Sequence, residues 1–260
     1  MRCLVIIPMY GQESYTDKCI EFTRKNAGID HDILIVDDGS KKPYIGRCVN
    51  VIRLEKNSGF TAAVNAGILW AQKRGYDYVL LLNNDTEPCK DFLLHLVTEM
   101  EKSPDIGITS SVRINIGKKD EPVALAASDL VRGFQYFCEE DKLPKDAFET
   151  NIIPVASGLL RMDMVREIGL LDKRYKNHCS DTELCVRARL KGWKVMLVPD
   201  SRVRHHLSVT TTANNILVDD DQRLWIEELA CLGYAKLMTV MPLDGEAKTW
   251  GRLNFEVYQK

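Results

Sequence analysis

Long apolar runs are missing from this 260-residue sequence, and no stretch approaches the ~20 residues that a membrane-spanning helix needs. A charge surplus is missing too. Thirty-five basic residues face 37 acidic ones, for a net charge of −2, so no basic stripe argues for a nucleic-acid partner. Cysteines at CxxC spacing are absent. The eight cysteines are spread along the chain, which fits neither a zinc ribbon nor a disulfide framework and predicts reduced, mostly buried thiols in a cytosolic protein. No GxGxxG follows an apolar strand and no Walker A loop occurs, which excludes the dinucleotide fingerprint and the P-loop. Met1-Arg2-Cys3 leads straight into a five-residue apolar run ending at Pro8, shorter than a secretory signal core, so no targeting segment is expected. Internal repeats and low-complexity tracts are lacking as well. With 45% hydrophobic residues and little net charge, disorder is excluded as the main state.

What is present is an alternation of short apolar runs and helical spacing. Residues 3–7, 33–36, 49–54 and 76–82 read as strands. Residues 15–26, 60–74 and 91–102 carry helical spacing; Ser58 is the expected N-cap of the second, and Ser103-Pro104 stop the third. Continuous apolar strands joined by helices predict an α/β fold, with a mostly parallel central sheet and helices on both faces. The second half is less regular. Residues 113–150 read as loops with one or two weak strands, 152–161 as a strand, and 181–191 as a short helix ended by Gly192. Short strands are expected over 194–198 and 201–205, a long helix over 219–241, and a polar extended tail after it.

In an open parallel sheet, ligands sit outside the carboxyl ends of the strands. There the sequence places three polar, turn-prone clusters: Pro8-Met9-Tyr10-Gly11, Asp37-Asp38-Gly39-Ser40 and Asn83-Asn84-Asp85-Thr86-Glu87. Taken singly, the second is an ordinary tight turn and the third an Asx-turn ahead of a helix. Taken jointly, they put carboxylates at one sheet edge, facing a solvent crevice. A nucleotide fits that arrangement: one carboxylate accepts from base or ribose donors, and another holds a cation that bridges phosphates.

Further motifs follow in order. Asn57-x-Gly59-Phe60 and Asn65-x-Gly67 precede Leu-Leu-Asn-Asn-Asp-Thr-Glu at 81–87. Ser157-Gly158, Arg161 and Gly169-Leu170-Leu171-Asp172 come next, then Ser180-Asp181-Thr182-Glu183-Leu184-Cys185-Val186-Arg187, and finally Pro199-Asp200-x-x-Val203-x-His205-His206. With Ile-Ile-Pro-Met-Tyr at 6–10 and Val-Asp-Asp-Gly-Ser at 36–40, these resemble the family-2 glycosyltransferases, in their rhamnosyltransferase-like branch, over roughly residues 3–210. The resemblance implies a GT-A fold in one domain, 1–215, with a nucleotide-binding half (1–112) followed by an acceptor-binding half (113–215). Residues 216–260 would be a C-terminal helix and tail. It further implies a nucleotide-diphosphate sugar donor, a divalent cation (Mn2+ or Mg2+) and inversion at the anomeric carbon.

Residue by residue, the resemblance places the nucleotide on Pro8, Tyr10 and Asp38, with Asp38 accepting from a pyrimidine ring and Asn57 beside the base. Asp85 matches the last carboxylate of the family's DxD motif, a cation ligand, and His205 the histidine that completes the cation site. Asn83 stands at the motif's first position, so the site loses one formal charge there. Asn83, Asn84 and Glu183 are assigned to substrate, with cation coordination through the carbonyl oxygen as the alternative for Asn83 and support of the loop as the alternative for Glu183. Asp181 matches the general base. The family's Glu-Asp pair is Ser180-Asp181 here, and Ser180 is also the expected N-cap of its helix. Arg187 is expected as an exposed helix charge. His206 is a neighbour of His205 but points to the opposite strand face.

The implied chemistry is a single displacement, in which a positioned carboxylate contributes about 10²–10⁴-fold. The implied partners are a UDP- or dTDP-linked sugar and a glycan or lipid-linked acceptor of polysaccharide or glycoconjugate synthesis. The protein is expected in the cytoplasm or peripherally at the inner face of the membrane. The apolar members of 219–241 fit packing on the core, a mate in a homo-oligomer, or a membrane surface. Two other classes fit less well. A binding module without catalysis would lack the base or the cation positions, and both are present. A nucleotidyltransferase would need a Gly-rich, Arg-containing loop after the first strand, which Pro8-Met9-Tyr10-Gly11 does not supply.

Overall fold

A computed structural model of the chain describes residues 1–46, 49–115, 123–129, 134–138, 143–150, 153, 157–206, 220–221, 224 and 247–248. Its centre is made by β1 (Cys3–Met9), β2 (Asp32–Asp37), β3 (Asn50–Arg53) and β4 (Tyr78–Leu82). β1 and β4 are buried at every position. A strand apolar on both sides needs cover on both sides, and parallel strands with crossover helices provide it. Accordingly β2 and β4 flank β1 in parallel, and β3 lies beyond β2. α1 (Glu13–Asn26) and α3 (Phe92–Met100) cover one face through Cys19, Ile20, Phe92 and Leu96, while α2 (Phe60–Lys73) covers the other through Ala63, Val64 and Ile68.

The chain steps outward from β1 to β3 and then returns to place β4 on the other side of β1. That reversal is a topological switch point. Pairing of β1 with β4 stops at Ile6↔Leu81, whereas pairing with β2 runs on to Met9↔Asp37. The strands part there, and Pro8, which has no N–H to give, sits where no β4 partner remains. The turns after β1, β2 and β4 line the opening.

The second half completes a mixed sheet. β6 (Ile106–Asn115) and β4 sandwich β10 (Ser157–Arg161), which is antiparallel to both. β11 (Lys194–His205) runs parallel to β6 and antiparallel to β5 (Thr86–Pro88) and β9 (Phe148–Glu149). β7 (Val123–Asp129), β8 (Phe134–Cys138) and β12 (Ala247–Lys248) extend the sheet past β6. α4 (Met162–Ile168) and α5 (Ser180–Leu190) pack on the α2 face through Met162, Val165, Leu184 and Ala188.

Several expectations are corrected. β6 begins ahead of the region read as loops, and β7, β8 and β9 also fall inside that region. The polar run Thr109-Ser110-Ser111 hid β6, yet all three hydroxyls are satisfied inside the protein. Ser111 Oγ lies 2.9 Å from Ser157 Oγ and 2.7 Å from Ser201 Oγ, Ser110 Oγ donates to Ser157 O, and Thr109 Oγ1 donates to Leu96 O. Buried polar groups are tolerated when paired in this way. The two strands read over 194–205 are one strand with an irregularity between Val198 and Arg202, and the strand read over 152–161 is described only from Ser157. α4 was not anticipated. The N-cap of α2 is Gly59 rather than Ser58, whose Oγ donates to Lys56 O, and that of α5 is Cys179 rather than Ser180. The helix read over 219–241 lies outside the described residues except for 220, 221 and 224, which are helical; of the tail, only β12 is described. Cys3, Cys19 and Cys185 are free and buried, and burial pushes each thiol up to about 12. Among the described residues no helix is long and apolar enough to cross a membrane.

Candidate functional site

The turn after β2 is built from two carboxylates with different work. Asp37 is wholly buried, accepts from Ser40 N at 2.9 Å and Tyr44 N at 3.2 Å, and forms an ion pair with Arg53 on β3. Burial pushes its carboxyl up, but the hydrogen bonds from Ser40, Tyr44 and Arg53 outweigh that and hold it below the ordinary carboxylate range. Asp38 takes Ser58 N on Oδ1 at 2.7 Å and Gly59 N on Oδ2 at 2.8 Å, so it caps the amino end of α2. Its burial outweighs those two bonds, and its carboxyl lies above the ordinary range. Both carboxylates were expected to face solvent; Asp38 is only 4% exposed, and each is turned inward by backbone donors.

Gly39 makes the turn possible. Its φ is +69°, and a Cβ there would stand 2.7 Å from Asn57 N, so only glycine lets residues 56–59 cross this turn. The crossing brings half-buried Asn57 beside Asp38. Asp38 N donates to Met9 O at 2.8 Å and Gly11 N to Ser40 Oγ at 2.8 Å, which ties the first cluster to the second. Buried Pro8 and half-buried Tyr10 border the same opening.

The third cluster meets the end of β11. Asp85 Oδ1 lies 2.9 Å from His205 Nε2, and both side chains are 7% exposed. Asn83 Nδ2 lies 3.4 Å from the same ring nitrogen, and with its amide turned over its carbonyl oxygen stands there instead. His206 points the other way: its Nε2 pairs with Glu87 Oε1 at 3.0 Å and its ring meets Tyr15 edge-on. The two histidines thus face opposite ways, as alternation along a strand leads one to expect. Asn84 is buried and its amide donates to Thr16 Oγ1 at 3.1 Å, so it anchors α1.

A divalent cation fits this corner on its donor set. A carboxylate, an imidazole and an amide oxygen suit Mn2+ or Mg2+, with phosphate oxygens and water filling the remaining positions. Among the described residues no three His, Cys, Asp or Glu side chains gather into one metal-holding group, so the protein offers few charged ligands. Sequence reasoning also missed Arg113. It is register-paired with Val203, two residues before His205, and so shares a sheet face with the histidine. Its Nε is buried with no hydrogen-bond partner among the described residues. Burial pulls its pKa down, and the charge of Asp85 pulls it back up.

The remaining side is α5. Asp181 is half-buried in its first turn, where Oδ1 accepts from Thr182 N at 2.8 Å. Thr61 Oγ1 donates to Ser180 Oγ at 2.8 Å, so α5 starts against the first turn of α2, next to the segment gripped by Asp38. Glu183 is engaged elsewhere: Arg187 Nε and Nη2 reach its two oxygens at 2.7 and 2.6 Å. Arg187 also donates to Leu170 O at 2.9 Å and to Ile168 O. It is therefore a staple for the 168–170 turn rather than an exposed charge, and Glu183 is its counterion. Asn65 ties α2 to the 168–171 turn, accepting from Leu171 N at 3.0 Å and donating to Leu171 O at 2.8 Å.

Residues 4–169 match the family model described as glycosyl transferase family 2. Rhamnosyltransferase WbbL of Escherichia coli is 26% identical over 220 residues, 78% of this chain and 82% of that protein. Glucomannan 4-beta-mannosyltransferase 7 of Arabidopsis thaliana is 23% identical over 220 residues, but the chain spans only 39% of its length. Among solved structures, GalNAc-T7 with UDP, GalNAc and Mn2+ superposes with a TM-score of 0.63 at 18% identity, covering 79% of this chain and 44% of that one. S. aureus TarS superposes at 0.58 with 13% identity, covering 92% and 76%.

Proposed function

The chain belongs to glycosyl transferase family 2 and is by class a glycosyltransferase; from that premise we propose that it moves a hexosyl or deoxyhexosyl group from a UDP- or dTDP-linked sugar to an acceptor hydroxyl, with inversion. The observation that carries the reading is the buried meeting of Asp85 and His205 at 2.9 Å beside the switch-point opening. A turn residue and a strand end far apart in sequence converge where a diphosphate would leave.

Pro8 and Tyr10 border the base, and Asp38 accepts from a pyrimidine N–H through lone pairs that Ser58 N and Gly59 N leave unused. Asn57 completes that side. Asp85 and His205, with the Asn83 carbonyl, would hold the divalent cation; when bound, it supplies positive charge to the departing diphosphate. Asp181 takes the proton of the acceptor hydroxyl as that oxygen bonds to the anomeric carbon. The bond from that carbon to the phosphate oxygen breaks, its electron pair leaves with the diphosphate, and one displacement gives inversion. The ion pair of Glu183 with Arg187 supports Asp181 over Glu183 as the base.

Residues 1–112 then serve as the nucleotide half and 113–215 as the acceptor half of one unit. The similarity to a rhamnosyltransferase and to a glucomannan mannosyltransferase supports a deoxyhexosyl or hexosyl group as the one transferred and a glycan as acceptor. The test is thermal unfolding with UDP or dTDP plus Mn2+, beside a hydrolysis screen over UDP- and dTDP-sugars. A diphosphate at 100 times its Kd stabilises by about 2.7 kcal/mol. No melting shift with either diphosphate and no hydrolysis of any donor would overturn the reading.

A further inference from the structure

We propose that Asp221 is a positioning residue for this reaction: a carboxylate from beyond the expected catalytic domain that fixes the loop leading to the general base. The proposal rests on the assignment of Asp181 above. Asp221 is 6% exposed. Its Oδ1 accepts from Lys176 N at 2.8 Å, and its Oδ2 from Asn177 N at 2.7 Å and His178 N at 2.8 Å. Consecutive backbone donors thus converge on one buried carboxylate, in charge-assisted bonds roughly twice as strong as neutral ones. Such a run of N–H groups forms a concavity for one anion, and the anion in turn holds the loop in that conformation.

The gripped loop touches both ends of the site. Lys176 O accepts from Thr61 N at 3.1 Å and Asn177 Oδ1 from Phe60 N at 3.3 Å, so the loop lies on the first turn of α2. Directly before that turn, Ser58 N and Gly59 N hold Asp38. The approach is too close for a side chain: a Cβ at Gly59, where φ is +93°, would lie 2.6 Å from Lys176 O. On the other side, the chain passes from His178 through Cys179, at φ 64°, into Ser180 and Asp181. Asp38, the loop and Asp181 therefore form one connected frame, and Asp221 locks it from more than 40 residues further along the chain. In the sequence, Asp221 falls at the start of the helix expected over 219–241, and no spacing marks it as a partner of residues 176–178.

The test uses Asp221→Asn and Asp221→Glu in the full chain. The first keeps the shape but turns an NH2 toward one of the N–H groups; the second keeps the charge but moves it. Amide exchange over 174–182, UDP affinity with Mn2+, and turnover of a donor that the wild type hydrolyses are read together. Exchange at 176–178 should speed up by about tenfold or more in the Asn variant. UDP affinity should stay within about twofold, while kcat per folded molecule falls by about 10- to 10²-fold in both variants. A merely structural residue would lower melting temperature and leave kcat per folded molecule unchanged. Unchanged exchange at 176–178, or unchanged kcat in both variants, overturns the proposal. If the Asn variant does not fold, the Glu variant decides by the same readouts. A wild type that binds no UDP and hydrolyses no donor refutes the parent reading instead, and the exchange at 176–178 alone then decides whether Asp221 fixes the loop.

Discussion

Replacing Asp181 by Asn should nearly abolish turnover and leave the nucleotide site intact. The shape is unchanged, and the amide oxygen still accepts from Thr182 N, the bond that measures 2.8 Å. The nucleotide is assigned to Pro8, Tyr10, Asp38 and Asn57, on the turns after β1 and β2 and on the segment before α2, so UDP affinity should hold within about twofold. Loss of a positioned base removes about 10²–10⁴ in rate, or roughly 3–5 kcal/mol of transition-state stabilisation. The fold loses much less. Asp181 sits in the first turn of α5, where a carboxylate contributes about 0.3–1 kcal/mol through the helix dipole. Melting should therefore fall by only about 1–4 °C. Glu183→Gln is the contrasting control. It weakens a half-buried i,i+4 pair with Arg187 and should lower stability by about 1 kcal/mol while leaving turnover near the wild type. Titration calorimetry with UDP and Mn2+, run beside release of UDP from the hydrolysed donor, separates the two effects. Wild-type turnover in Asp181→Asn with loss in Glu183→Gln would move the base by two residues. A raised UDP Kd with intact turnover would make Asp181 a donor contact.

Other outcomes can be checked with the same preparations. Gly39→Ala places a Cβ 2.7 Å from Asn57 N at φ +69° and should cost about 1–3 kcal/mol in melting experiments, with UDP affinity weakened because Ser58 and Gly59 move off Asp38; unchanged UDP binding would contradict the role given to this crossing. Asp37 is held below the ordinary carboxylate value in the fold, so its pairing stabilises above the unfolded value of about 3.9 and is lost as pH falls through the lower folded value. Melting should drop steeply in that acid range, and less steeply in Asp37→Asn; identical slopes would refute the pairing. Asn83→Asp restores a charge beside Asp85 and should tighten Mn2+ in a metal titration followed by UDP binding, and an unchanged Mn2+ requirement would remove Asn83 from the cation corner. His205→Ala should weaken metal-dependent UDP binding while His206→Ala, on the opposite strand face, should not; the reverse pattern would shift the site by one residue.

Local pattern alone determined the half of the fold around β1, β2 and β4. A strand buried on both faces must be apolar at nearly every position, and that mark survives in one dimension. The turns at their carboxyl ends were legible for a similar reason, since Gly39 and its acidic neighbours encode a backbone shape before they encode a contact. The staple of Glu183 by Arg187 was within reach as well, because their four-residue spacing on a helix makes them neighbours. What only the tertiary structure decided is which polar group meets which. Asp37 and Asp38 are adjacent and alike, yet Arg53 on a neighbouring strand claims one, and the amides before α2 claim the other. The hydroxyls of β6 masked a strand whose partners, Ser157 and Ser201, lie far along the chain. Asp221 belongs to an acidic run whose partners lie more than 40 residues back in the chain. Periodicity records which way a side chain faces, because burial repeats along an element. The partner waiting there is set by the path of the chain between elements, and no spacing within a single segment carries that path.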